Sequence, residues 1–396
     1  MEIDRRMFLQ TGLGAALSAG LAGVRTPVTA QESQSVASRA RQPLHARATL
    51  RELGLDAYSR QLQWLRSADE VADAVYEMAC DGLMVTVQPY PGHVAPDRVE
   101  QDLPRFVNTL RARGVRVTQI RGPEVTDPDD PQVETILHAG SQLGITHYWF
   151  GSDHYDFSKP IPPQLDALKV RMDKFVRLNQ KYGTTLMYQT QPEPAAIGSN
   201  VWDLLSVMQN FDPKYVGFHW DTGHMALHGL GLWEILMRAA GPYVAGIGWK
   251  DRSWSQNLGL GDQDGPYPGA EALKQRSGAG GRGAPVRPSG AGGPPPMAER
   301  PIPLPLAGLI GQGSGWFSPV VPFGTGVLDV PRLAMVLSDI GFSGPTNLQA
   351  EYPLGGAEKG ADKISLPPAR ILGAMKRDVL TLRSALKLAP QAGITV

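Results

Sequence analysis

The sequence is short of the features that would settle its class at once. It has one cysteine, Cys80, in 396 residues, so no internal disulfide can hold the fold. Neither charge sign is in excess, because 38 Lys plus Arg balance 38 Asp plus Glu. A neutral chain lacks the basic face that a nucleic-acid or anionic-membrane partner needs. No G-x-G-x-x-G follows the first strand pattern, which argues against a dinucleotide fold. No glycine-rich phosphate cradle stands out either, so the expected small-molecule substrate is unphosphorylated.

What is present begins with an export signature. Arg5-Arg6 is followed by Met7-Phe8-Leu9-Gln10 and a weakly apolar run from Thr11 to Val24. That run is interrupted too soon to span a bilayer, and Val28-Thr29-Ala30 offers a small-residue cleavage site. The reading is a twin-arginine signal over 1–30 and a polar leader over 31–45. It implies a periplasmic or extracellular protein with no stable membrane anchor after cleavage. A chain folded before export cannot rely on disulfides, which fits the lone Cys80.

From about residue 46 to 390 strands and helices alternate. GLMVTVQP (82–89), VRVTQI (115–120), ITHYWF (145–150), TTLMYQ (184–189), YVGFHWD (215–221), YVAGIGWKD (243–251) and PTNLQAE (345–351) read as strands. A less defined first strand lies near 53–59. Amphipathic segments such as 96–114, 131–144, 200–211 and 330–341 read as the helices between them. About eight βα units predict an α/β fold, a closed (β/α)8 TIM barrel; the alternative is a doubly wound open sheet. One stretch breaks the rhythm. Residues 259–315 are rich in Gly and Pro and too poor in apolar side chains to order themselves, so a disordered insertion is expected between strand 7 and helix 7. It is either a tolerated insertion or a lid or partner-binding arm at the active-site face.

Side chains alternate along a strand, so parity sorts each strand into a barrel side and a helix side. In YVGFHWD, Gly217, His219 and Asp221 face inward, and Val216, Phe218 and Trp220 face the helices. The same count turns Met187 and Gln189, Gly246, Gly248 and Lys250, and Asn347, Gln349 and Glu351 inward. It turns Ala245, Ile247 and Trp249 outward. The strand tops then converge on Gln189, Asp221, Lys250 and Glu351. Two carboxylates at one buried mouth repel unless a cation lies between them. A divalent metal and Lys250 are the two candidates. Bland readings stand beside these. Asp221 and His224 in WDTGH suit a turn hydrogen bond, His219 suits an interior histidine, and Lys250-Asp251 suits a plain ion pair. His93, and Asp153, His154 and Tyr155, are rim polar groups.

The order of these segments resembles the xylose isomerase-like barrels, the sugar phosphate isomerase/epimerase family, in particular exported members. PGHVAPDRVEQDLP, HWDTGHMALHG, GWKD, VPFGTGVLD and LQAEYPLGG carry the resemblance in order. It implies a divalent metal, Mn, Mg or similar, held at the ends of strands 5 to 8. Carried over, the metal ligands are Asp221, Glu351 and Gln189. The chain departs from the pattern at two positions. The strand-5 ligand falls on Gln189, an amide that adds no charge, and the strand-7 histidine falls on Gly248.

The implied activity is carbohydrate isomerisation or epimerisation through proton abstraction next to a carbonyl. Glu351, Lys250 and His224 are the expected catalytic groups. His93, Gln189, Gln191, His154 and Trp254 are the expected substrate contacts. A lyase acting on oxidised glycosides shares the first step. A non-catalytic carbohydrate-binding barrel with an eroded metal site is the alternative from another class.

Overall fold

Apolar β-branched runs bounded by Gly and Pro form the strands, and capped amphipathic segments form the helices between them. The computed structural model describes residues 50–89, 92–193, 195–227, 232–256 and 316–388. The twin-arginine signal, the polar leader and the 259–315 insertion lie outside the described residues. The strands are β1 (Leu55–Tyr58), β2 (Gly82–Thr86), β3 (Arg116–Arg121), β4 (His147–Trp149), β5 (Thr185–Gln189), β6 (Val216–Asp221) and β7 (Val244–Trp249). Four short strands follow, β8 (Asp251–Arg252), β9 (Ser255–Gln256), β10 (Trp316–Phe317) and β11 (Val320–Val321), before β12 (Thr346–Leu348).

Eight of these close in the order β1-β12-β7-β6-β5-β4-β3-β2, with every pairing parallel. The fold is therefore a TIM barrel and not an open sheet. The short strands pair antiparallel, β8 with β11 and β9 with β10, so the chain leaves and re-enters the barrel at one place on either side of the 259–315 segment.

The helices start and stop where local chemistry dictates. Ser67 and Glu70 form a reciprocal capping box before Ala68–Glu77. Asp130, Asn200 and Asp329 cap the helices Pro131–Gln142, Val201–Met208 and Val330–Asp339 through their side chains. None of the described helices is long and apolar enough to cross a membrane.

The core lies between strands and helices. Val216, Phe218 and Trp220 of β6 and Trp249 of β7 are buried there, with Trp249 set edge-on to Phe323 at 6.1 Å. Inside the barrel, Tyr58, Met84, Trp149 and Met187 form a second, smaller apolar cluster. Parity fails at one residue. Ala245, expected on the helix side, packs against this inner cluster. The β6–β7 register slips there, with Phe218 opposite Val244 but His219 opposite Gly246, and a bulge of this kind turns a side chain to the other face.

Candidate active site at the C-terminal mouth

Register brings the site together. Asp221 ends β6 directly opposite Gly248, and Gly248 lies opposite Asn347 on its other side. Lys250 and Glu351 therefore emerge beside Asp221. The Lys250 ammonium lies 2.9 Å from Asp221 Oδ2, 2.8 Å from Glu351 Oε2 and 3.0 Å from His224 Nε2. An ammonium has three N–H donors, and all three have acceptors here.

The surroundings fix each member. A short helix, Thr222–Leu227, starts immediately after Asp221. The His224 amide donates to Asp221 Oδ1 at 2.9 Å, and the Asp221 amide donates to Thr190 Oγ1 at 3.1 Å. His224 Nδ1 faces the Thr190 carbonyl at 2.7 Å, so it carries the ring proton and leaves Nε2 as the acceptor for Lys250. Burial holds the His224 ring well below its ordinary value, consistent with a neutral imidazole. The turn reading of Asp221 and His224 and the site reading thus hold together, because one carboxylate oxygen caps the helix and the other meets Lys250.

Charge balance keeps the pair ionised. Burial pushes the Asp221 carboxyl up, but the Lys250 ammonium and the His224 backbone amide beside it hold it well below the usual carboxylate range. Burial draws Lys250 down, and the charges of Asp221 and Glu351 more than offset this, so it stays above its ordinary value. Asp221 is fully buried, whereas the Glu351 side chain keeps 27 % of its surface exposed. Glu351 is the member of the trio that solvent can reach.

The other expected residues fall into two groups. Gln189 joins the cluster, donating its amide N–H to Asp221 Oδ2 at 3.3 Å. Gln191 donates to Gln189 Oε1 at 3.3 Å and to Ser152 Oγ at 2.9 Å. His93, His154 and Trp254 do not join the cluster through any described bond. His93 is a loop histidine bonded to Gln63 at 2.8 Å and stacked on Phe106 at 5.2 Å, and burial lowers it to about 4. His154 is an exposed rim residue bridged to Ala196. Trp254 is partly buried on the stretch after β8. His219 sits one layer below Asp221 with Nε2 2.9 Å from Asn347 Oδ1, and burial holds it at about 4. Trp149 stacks with His219 at 5.6 Å and carries the Arg121 guanidinium at 4.6 Å.

Thr190, Thr222 and Arg252 also belong to the site, and strand periodicity alone does not point to them. Thr222 Oγ1 accepts the Lys250 amide N–H at 2.9 Å and lies 2.6 Å from the Lys250 carbonyl, pinning that backbone in place. Arg252 is buried, donates to the Ser318 carbonyl at 2.9 Å, and adds positive charge near Asp221, Glu351 and Glu193. Its place next to Lys250-Asp251 was the signal available.

The ion pair read into Lys250-Asp251 is corrected. Asp251 turns away from Lys250 and accepts the backbone amides of Gly324 at 3.0 Å and Gly326 at 2.9 Å. It clasps the strand-7 loop to the returning chain. Asp251→Ala is expected to lower stability by about 2–3 kcal/mol, as lost hydrogen bonds to a charged acceptor do; a thermal melt checks this.

The residues fit a divalent metal poorly. Among the described residues, no group of three or more His, Cys, Asp or Glu is placed to hold one. The two carboxylates that remain share the Lys250 ammonium, and Gln189 offers Asp221 its N–H. At Gly248 a Cβ would fall 2.5 Å from Gln349 Nε2 and 2.8 Å from His219 Cε1, so the place for a strand-7 ligand is already filled. Gly248→His is therefore expected to cost about 1–3 kcal/mol by overpacking and to confer no metal affinity. Chemical denaturation together with a Mn²⁺ titration measures both.

The profile of the xylose isomerase-like TIM barrels matches residues 72–365. The chain belongs to that family. Solved structures agree on the fold. D-psicose 3-epimerase from Clostridium cellulolyticum H10 with D-tagatose superposes with a TM-score of 0.53 at 12 % identity, covering 84 % of this chain and 99 % of that one. The apo 3-keto-D-glucoside 4-epimerase of E. coli gives 0.52 at 13 %, covering 84 % and 100 %. The IolI protein with a bound zinc atom gives 0.52 at 11 %, covering 84 % and 99 %. At these identities the likeness is one of fold. No curated protein sequence matches. In this barrel a lysine ammonium lies between Asp221 at the end of β6 and Glu351 just past β12.

Proposed function

We propose that this protein is a sugar isomerase- or epimerase-like enzyme that moves a proton at a carbon next to a carbonyl. The observation that carries the reading is the trio at the barrel mouth. A charged Lys250 sits between a buried Asp221 and a partly open Glu351. Proton abstraction next to a carbonyl needs a base and a fixed positive charge where the oxyanion develops, and this trio has both. Family membership and the sugar epimerases among the structural neighbours support a sugar as substrate.

Glu351 is the base, because it is the carboxylate that solvent and substrate can reach. Lys250 holds the developing oxyanion. Asp221 and His224 position Lys250 and do not touch the substrate. Gln189 and Gln191, linked to each other and to Asp221, line the same mouth and are assigned to sugar hydroxyls. Elimination from an oxidised glycoside begins with the same proton transfer and belongs to the same reading. Incubation with a panel of ketoses and keto-glycosides, followed by NMR, tests it. A new epimer, isomer or eliminated product supports the reading, and no change across the panel rejects it.

A carbohydrate-binding role without turnover is the second reading. It is favoured by the loss of charge at Gln189 and of any side chain at Gly248. It predicts saturable sugar binding that Glu351→Gln leaves intact, with no product formed. Export through the twin-arginine route is part of the proposal as well, resting on Arg5-Arg6 and the run that follows. Cell fractionation of the full chain beside an Arg5→Lys/Arg6→Lys variant tests it. Export of both forms alike rejects that route.

A further inference from the structure

We propose that the ammonium of Lys250 takes the place of the divalent metal in this barrel and is its catalytic cation. The proposal rests on the proton-transfer reading above. Its first support is positional. Nζ contacts Asp221 Oδ2, Glu351 Oε2 and His224 Nε2 at 2.9, 2.8 and 3.0 Å. These are two carboxylate oxygens and one imidazole nitrogen, the donors a divalent ion would use at about 2.0–2.6 Å. Two cations cannot share those lone pairs.

The second support is that the chain is shaped around the lysine stem. Lys250 is 2 % exposed. Its stem crosses Gly223, where a Cβ would meet Lys250 Cγ at 2.7 Å and Cδ at 2.8 Å. Any other residue at position 223 would push the ammonium out of the carboxylate pair. The filled space at Gly248 and the N–H of Gln189 close the remaining directions from which a metal could be ligated.

The arrangement also explains how the base becomes free. All three ammonium protons are engaged, so an incoming carbonyl oxygen must displace one acceptor. Asp221 is locked by the His224 amide and His224 by Thr190, which leaves Glu351 to be displaced. The released Glu351 carboxylate takes the proton from the neighbouring carbon. The C–H electron pair becomes the carbon–carbon double bond of an enediolate, and the carbonyl π pair moves to the oxygen held by Lys250. Return of the proton to the former carbonyl carbon, with the neighbouring hydroxyl proton passing to the oxygen held by Lys250, gives the isomer; reprotonation of the same carbon from its opposite face gives the epimer. No oxidant, reductant or metal enters the balance.

The experiment is elemental mass spectrometry of the full chain purified without chelator or His-tag, before and after soaking in Mn²⁺, Zn²⁺ and Mg²⁺. It runs beside a Lys250→Met/Gln189→Glu variant. The wild type is expected to hold far less than one ion per chain and to show no thermal shift with any of the three. The variant, with the ammonium gone and a third carboxylate supplied, is expected to gain Mn²⁺ binding. If the variant does not fold, Lys250→Met alone, soaked at the same ion concentrations, gives the same comparison through its thermal shift. Near-stoichiometric metal in the wild type that disappears in Asp221→Ala overturns the proposal, whatever the sugar assay gives. Absence of turnover on every sugar instead counts against the proposed function, and metal content is read independently of it.

Discussion

Lys250→Met is expected to abolish turnover and to destabilise the fold by about 3–5 kcal/mol, the usual cost of removing one partner from a buried ion pair. The loss of rate is expected to be at least about 10²–10³-fold, as when an oxyanion donor is removed. The pH signature separates this from ordinary packing loss. In the wild type the folded value of Asp221 is depressed, so its contribution is complete above the unfolded value of about 3.9 and disappears as pH falls through the folded value. The folded value of Lys250 is raised, so its contribution is complete below about 10.4 and disappears as pH rises through the folded value. Neutral pH lies inside both windows, and the wild-type pair contributes no slope there.

In Lys250→Met the balance shifts. Burial, the largest influence on Asp221, is no longer opposed by the ammonium and raises the carboxyl relative to the wild type. The variant therefore loses less than the wild type when the carboxyl is protonated, and its deficit is greatest at neutral pH. The measurement is the difference in melting temperature between variant and wild type from pH 7.5 to 4.5. The difference should shrink on acidification. Asp378, which burial raises to about 7, titrates in both proteins and cancels from the difference. A pH-independent difference would mean that Lys250 matters only as packed hydrocarbon.

Glu351→Gln is expected to cut turnover by about 10²–10⁴-fold, the range for loss of a general base. Its effect on stability should stay within about 1 kcal/mol. The side chain is 27 % exposed, and an amide oxygen can still accept from Lys250. Sugar affinity should change little. This split between rate and stability distinguishes a base from a structural counter-ion. A stable Glu351→Gln with wild-type turnover would remove Glu351 from the chemistry. A variant that melts as Lys250→Met does would make it a scaffold carboxylate.

Much of this architecture is legible in the sequence because strand periodicity is strict where both faces are chemically distinct. In VGFHWD the apolar and polar sets separate cleanly, so Asp221 and His219 are placed inside with Trp220 outside. The same holds for Trp249 and for Asn347. Ala245 fails because Val-Ala-Gly offers no contrast between faces, and nothing local announces the slip opposite Phe218 and His219.

The site is legible in its members but not in its bonds. Asp221, Lys250, Glu351 and Gln189 can be collected from strand tops by counting. Whether the cation between the carboxylates is a metal or a lysine depends on how the stem of Lys250 crosses Gly223, a contact set by the β6–β7 register. Asp251 is misread for a similar reason. Its partners, Gly324 and Gly326, lie beyond the 259–315 segment and are brought back by the pairing of β8 with β11. His93 looks like a rim ligand in PGHVAP. It stacks on Phe106 of the helix Val99–Ala112 and bonds to Gln63 on the earlier loop after β1, contacts that composition cannot reveal.

The most direct test of the central claim is hydrogen exchange at the reacting carbon. The full chain would be incubated in D₂O with each ketose and keto-glycoside of the panel, with EDTA present throughout, and followed by proton NMR. Loss of the proton next to the carbonyl of at least one sugar is expected, undiminished by EDTA and abolished in Glu351→Gln. Saturable binding of a sugar with no exchange at that carbon would contradict it and leave a carbohydrate-binding barrel.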